Sequence, residues 1–210
     1  MFITIKENVS ASLIEKKSKF IAEIFYVQTE QDVINILKNV KKKYYDAKHH
    51  CFAYSILQAG NIINKLSDDG EPSGTAGSPI LNILTKKNIV NVLVVVTRYF
   101  GGVLLGTGGL VKAYTDSTLL ALNKTVFVQE VPGVELELIL NYANFEKFQY
   151  FAKKNNISIT KIDYNEKITC IIEIGNEEKN KIFSLNENEN IEIQKISILQ
   201  EKFIKKSVDI

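Results

Sequence analysis

Apolar and polar positions alternate through much of the chain and shift to helical spacing in between. Residues 2–6 suit a short strand. In residues 19–27, Phe20, Ala22, Ile24 and Tyr26 alternate with Ile21, Phe25 and Val27, the period of two expected of a strand. Thr29 stands three positions before Asp32, a capping-box arrangement that opens a helix. Val33, Leu37, Val40 and Tyr44 then recur at helical spacing, and Lys41, Lys42 and Lys43 suit the negative end of its dipole. A strand from 47 to about 57, a turn at Gly60 and a second strand over 61–66 follow. Ser78 and Pro79 open a short helix as N-cap and first-turn proline, with Ile80, Ile83 and Leu84 inward and Asn88 at its end.

The rest of the chain is organised around residues 92–114, VLVVVTRYFGGVLLGTGGLVKAY. The unbroken β-branched run up to Thr97 is too short for a buried helix and reads as a strand covered on both faces. Arg98, Tyr99 and Phe100 follow, then two glycine pairs around Val103-Leu104-Leu105. From Thr107 the period becomes helical. Leu110, Tyr114, Ser117 and Ala121 form one face, with Val111, Thr118 and Leu122 beside it, to about Asn123. Strand, glycine-rich turn and helix in this order can present backbone amides to an anion at the helix start.

Val131-Pro132-Gly133 breaks the pattern, and the boundary between two domains, 1–130 and 134–210, is placed there. Beyond it the pattern predicts a strand over 134–140 and a helix over 144–154 with Phe145, Phe148 and Ala152 inward. Strands over 157–164 and 167–174, a helix over 177–185 capped by Asn176 and a strand over 191–199 complete it. Strand-helix-strand, repeated, is the ferredoxin-like pattern, so the fold class is α+β. Cys51 and Cys170 lie far apart on expected strands and read as buried free thiols.

Composition narrows the function classes. No apolar run approaches the length of a membrane span, and the N-terminus lacks a signal-peptide layout, so a cytoplasmic protein is expected. Net charge is +2, unevenly placed: residues 1–132 hold 15 basic against 11 acidic residues, and 133–210 hold 11 against 13. Any polyanion would therefore meet the first half. Arg98 is the only arginine among 26 basic residues, and its planar fork suits a carboxylate, a phosphate or an aromatic ring. An internal ion pair that pins a loop is the plainer use of it.

The segment 68–79, DDGEPSGTAGSP, is the second unusual stretch. Eight of the eleven glycines lie between Gly70 and Gly109. Known phosphate loops do not fit. No Gly-Lys-Ser/Thr follows the strand, and the third glycine of a dinucleotide fingerprint would fall on Val111. His49 and His50 point to opposite faces of a strand, so only His49 can share a site with Cys51. Two such residues make no zinc site, and no third group is marked to orient a cysteine–histidine pair.

Ser18-Lys19-Phe20-Ile21-Ala22, residues 47–54, DDGEPSGTAGSP at 68–79 and TRYFGGVLLGTGGLVKAY at 97–114 together resemble the YigZ/IMPACT family. The tail from 134 resembles the extra domain of its bacterial YigZ-like members. The resemblance implies two domains. The first is an α/β sandwich like a small-subunit ribosomal protein's second domain and the fourth domain of elongation factor G. The second is a ferredoxin-like fold similar to that factor's last domain. It also implies a part in translation, since eukaryotic members regulate initiation by competing for an activator of a translation-control kinase. Fold likeness alone does not fix function.

Two function classes follow. The first is a non-catalytic module that binds the translation machinery through ribosome, RNA or a protein factor, without membrane or cofactor. The second is an enzyme or small-ligand binder. In it, Asp68, Asp69 and Glu71 hold a hard metal or act as acid and base, while Arg98 and the 106–109 amides hold a phosphate or other anion. No catalytic residue is assigned, and no metal site. The candidate groove comprises Asp68, Asp69, Gly70, Glu71, Ser73 and Thr75 from one segment. Arg98, Gly101, Gly102, Thr107, Gly108, Gly109 and Lys112 come from the other, and Lys48 and His49 stand as secondary candidates. It is expected where strand gives way to helix, as in open α/β sheets.

Overall fold

The computed structural model describes residues 2–58, 60–185 and 189–207. These fall into two compact units, the first extending to Val128 and the second Gln129–Lys206. In the first, β1 (Thr4–Ile5) is followed by β2 (Val9–Glu15), β3 (Ser18–Tyr26) and α1 (Glu30–Lys43). Then come β4 (His49–Gln58), β5 (Asn61–Ser67), α2 (Gly77–Lys86), β6 (Val92–Tyr99) and α3 (Gly106–Leu122).

Five of these strands form one sheet in the order β2-β3-β6-β4-β5, antiparallel at every pairing. β6 is central and buried almost throughout because its alternate side chains serve two cores. Val92, Val94 and Val96 pack with Phe20, Ala22 and Ile24 under α2 and α3, against Ile80, Leu84, Leu110 and Tyr114. Leu93 and Val95 pack on the opposite face with Val33 and Val40 of α1. The double burial expected of this strand therefore holds, in an antiparallel sheet rather than a parallel one. The rule that places ligands at the strand ends of open parallel sheets does not apply here.

Several local expectations are corrected. β2 was not foreseen, because its small Ser10, Ala11 and Ser12 weaken the apolar alternation. Its connection to β3 also carries no glycine or asparagine. Lys16 and Lys17 adopt left-handed φ of 43° and 65°, the conformation a two-residue hairpin demands at both central positions. Ser78 is not the cap of α2. The helix starts at Gly77, has no side-chain bond from its own N-cap Ala76, and receives Asp68 instead. Val111 is exposed, whereas Leu110, Ala113, Tyr114, Ser117, Thr118, Ala121 and Leu122 are buried. The Thr29–Asp32 capping box of α1 forms as expected.

Val131-Pro132-Gly133 lies inside one long strand, β7 (Phe127–Leu140). Its first residues pair with β1 (Ile5↔Phe127, Thr4↔Val128), and pairing with β9 (Ile168–Gly175) starts at Gly133. Pro132 precedes that ladder, where its missing N–H removes no β9 rung. Gly133 is there for closeness, since a Cβ would sit 2.6 Å from the Ile174 carbonyl oxygen.

The second unit continues with α4 (Tyr142–Lys154), β8 (Ser158–Tyr164), β9, α5 (Lys179–Phe183) and β10 (Lys195–Ser207). The sheet order β10-β7-β9-β8 is that of a ferredoxin-like fold. Val134, Leu136, Leu138, Phe145, Phe148, Ala152, Cys170 and Ile172 share its core. The second helix is shorter than its pattern suggested. Asn176 starts a 3-10 turn, Asn176–Glu178, and makes no side-chain cap. The last strand begins at Lys195, not 191. Cys51 and Cys170 are free, buried and in different cores.

Candidate functional site

Register brings the site together at one end of the first sheet. Phe20, Arg98 and His49 lie opposite one another across β3, β6 and β4, so their side chains share the face covered by α3. The Arg98 guanidinium sits 5.4 Å from the Phe20 ring centroid and 5.6 Å from that of Phe100. Nη1 donates to Glu71 Oε1 at 2.7 Å, with side-chain exposures of only 7% and 3%. Nη2 reaches Ser18 Oγ at 3.5 Å, and the same hydroxyl accepts the Gly101 amide at 3.2 Å. Nε is buried with no hydrogen-bond partner among the described residues.

Tyr114 completes this knot. Its hydroxyl donates to Glu71 Oε1 at 2.9 Å, and its ring meets Phe20 edge-on at 5.2 Å. The Cys51 thiol is within reach of the Asp68 carbonyl (2.9 Å) and the Tyr114 hydroxyl (3.2 Å). Burial pushes that thiol up to about 12, against a lowering by the Tyr114 contact. The tyrosine hydroxyl is likewise raised, first by burial and then by the neighbouring Cys51 and Glu71. Both shifts favour the protonated groups over the thiolate and phenolate, and His49 Nδ1 is engaged by the Asp69 carbonyl rather than by Cys51.

The three acids of the 68–77 segment have separate duties. Asp68 accepts the amides of Gly74 (2.8 Å), Ala76 (3.0 Å) and Gly77 (2.8 Å), which both closes the loop and caps α2. Burial opposes its charge, but the three amides outweigh that and hold its pKa below the usual aspartate value. Asp69, at a left-handed φ of 42°, accepts the His50 amide at 2.7 Å and pairs with Lys41 at 3.3 Å. Its carbonyl accepts from His49 Nδ1 at 2.9 Å, and the His49 ring packs where Gly70 has no Cβ, 3.4 Å away. Glu71 belongs to Arg98 and Tyr114. The acids do not converge on a common point, and no three metal-binding side chains cluster among the described residues.

The remaining candidates are spread out. The Thr75 hydroxyl is buried and bonds to the Pro72 carbonyl at 2.6 Å, while Ser73 is exposed. Gly101 is pressed on the hairpin, since a Cβ would lie 2.0 Å from the Lys17 carbonyl carbon. Gly102, Thr107, Gly108, Lys112 and Lys48 are exposed, and Gly109 packs on Leu105. Among the described residues, no hydrogen bond or ion pair joins Thr107, Gly108, Gly109 or Lys112 to Arg98 or to the acidic loop. The lysine run of α1 is partly spent: Lys41 on Asp69 and Lys43 on Glu23 at 2.7 Å.

Ser18, Phe20 and Tyr114 were missing from the candidate groove. Tyr114 carried a usable signal: on a buried helix face its hydroxyl needs a partner, and Glu71 provides one. Ser18 carried none, because its role depends on tertiary register.

Residues 16–122 match the Impact N-terminal domain, and these residues contain every part of the knot. The chain belongs to the YigZ/IMPACT family. It is 35% identical over 167 residues to the IMPACT family member YvyE of Bacillus subtilis, covering 80% of this chain and 76% of that one. It is also 39% identical over 129 residues to the IMPACT family member YigZ of Escherichia coli, covering 60% and 63%. A crystal structure of a hypothetical protein aligns over 96% of this chain and 98% of its own, with 27% identity and a TM-score of 0.61. No described helix is long and apolar enough to cross a membrane.

Proposed function

We propose that this family member is a non-catalytic regulator that acts in the cytoplasm on the translation machinery, through ribosome, RNA or a protein factor. The observation that carries the non-catalytic reading is the internal use of the motif groups. Asp68 is spent on three amides, Asp69 on Lys41 and His50, and Glu71 on Arg98 and Tyr114. Groups held this way give the fold a rigid end rather than an acid–base pair. The link to translation rests on the family resemblance, whose eukaryotic members regulate initiation. A phosphate of such a partner would be received most readily by the first turn of α3. There Gly106, Thr107 and Gly108 are exposed, and the N-cap residue Leu105 makes no side-chain cap.

The test is sedimentation of the full chain with ribosomes, paired with output of a cell-free translation system titrated with the protein. Co-sedimentation, or a dose-dependent change in output, is expected. Neither effect at stoichiometric protein would overturn the reading.

A further inference from the structure

The 100–106 segment is packed near both ends and exposed between them. Gly101 is clamped on the Lys16-Lys17 hairpin and Leu105 is buried against Gly109, yet the side chains between them point outward. Leu104 is 82% exposed, and Phe100, Val103 and Val111 are also exposed. Lys16 and Lys17 form the hairpin turn on which Gly101 rests and Lys112 follows Val111 in α3; all three are exposed and without an ion-pair partner among the described residues. Glu15 and Asp116 are the exposed acids nearest in sequence. In the neighbouring loop Glu71 and Asp69 are paired with Arg98 and Lys41, while Asp68 keeps its charge on the amides of Gly74, Ala76 and Gly77.

We propose that Phe100, Val103, Leu104 and Val111, with Lys16, Lys17 and Lys112, form the docking surface for an acidic amphipathic segment of a partner protein. The inference rests on the regulatory reading above and names the class of partner. Aliphatic anchors of that segment cover Leu104 and its neighbours, and its carboxylates meet the three lysines. Charge complementarity selects an acidic partner, and the side-chain types select protein over RNA. Base recognition uses aromatic faces and arginine planes. Here the exposed groups are mainly aliphatic, with Phe100 the one aromatic ring among them, and the single arginine is buried in its pair with Glu71.

The test titrates the full chain with a labelled synthetic helix bearing leucines at helical spacing and glutamates elsewhere. Controls are the same helix with lysine for glutamate, oligo(U) RNA, and vesicles of phosphatidylcholine and phosphatidylserine. The acidic helix should bind, and the basic helix should not. Leu104→Asp should weaken binding by about tenfold or more, as loss of a central anchor does. Lys112→Glu should weaken it by about threefold, the scale of an exposed charge. Both sites are exposed, so the melting temperature should stay within a few degrees of wild type. Equal binding of the two helices, or an unaffected Leu104→Asp, overturns the proposal. Tighter binding of oligo(U) or vesicles that is lost with Leu104→Asp overturns it in favour of RNA or membrane. Ribosome sedimentation run in parallel separates the two readings. If ribosomes co-sediment while Leu104→Asp leaves helix binding unaffected, this surface is refuted and the regulatory role stands. Helix binding without any ribosome or translation effect refutes the role and leaves the surface.

Discussion

The 68–77 loop and the 100–106 loop look alike as sequence and behave oppositely as structure. Both are glycine-rich and both border the end of the first sheet. In the acidic loop, each charged side chain turns inward to an amide, a lysine or Arg98. In the other, the backbone is fixed at Gly101 and Leu105 while Val103 and Leu104 face solvent. Unusual residues therefore mark two different things: a lock that holds the fold and an exposed apolar loop packed at both ends. What tells them apart is whether the polar groups have protein partners.

If the acidic loop is a lock, breaking it should cost stability first. Glu71→Ala leaves the Arg98 guanidinium buried without its counter-charge, and it removes the acceptor of Tyr114. A loss of about 3–5 kcal/mol is expected, read by chemical denaturation. A loss below about 1 kcal/mol would place Arg98 in solvent contact and dissolve the distinction.

Gly101→Ala tests the root of the second loop. A Cβ there meets the backbone of Lys17 and Ser18 at 2.0–2.4 Å, which no rotamer change relieves. About 3 kcal/mol should be lost, because the hairpin or the loop must shift. An alanine tolerated at this position would mean that the loop is free at its base as well as at its tip.

Asp68 gives a smaller effect with a pH signature. Its pKa is depressed in the folded state, so its contribution is full above the ordinary aspartate value of about 3.9 and is lost as pH falls through the depressed value. Asp68→Asn should cost about 1–2 kcal/mol at neutral pH. The deficit relative to wild type should narrow below about pH 4, measured by denaturation midpoints across the acid range. A deficit that stays constant with pH would assign the loss to geometry rather than charge.

Much of this architecture was legible because periodicity reports burial. The valine run of β6, the Tyr114 face of α3 and the Thr29–Asp32 box each follow from local chemistry. What failed depended on long-range contact. Lys16-Lys17 makes a hairpin turn with residues that do not advertise one, and α2 is capped by Asp68 from nine positions before Gly77 rather than by Ser78. Pro132 and Gly133 read as the end of a strand because strand propensity penalises both, yet β7 runs through them, near where the two compact units divide, beside a partner that needs a missing Cβ. At the candidate site, an internal ion pair for Arg98 was legible, and Glu71 supplies its carboxylate; that Ser18 and Tyr114 join the pair was not. Pairing of that kind is set by which strands and loops become neighbours.

Arg98→Lys is the most direct test of the lock. The substitution keeps the charge and removes the fork that reaches Glu71 and Ser18 together. Stability and affinity, for ribosomes and for the acidic helix, should be measured on the same folded preparation. The expected result is a stability loss of about 2 kcal/mol with both affinities unchanged. Unchanged stability with weakened binding would contradict it, because Arg98 would then be contacting the partner rather than holding the loop.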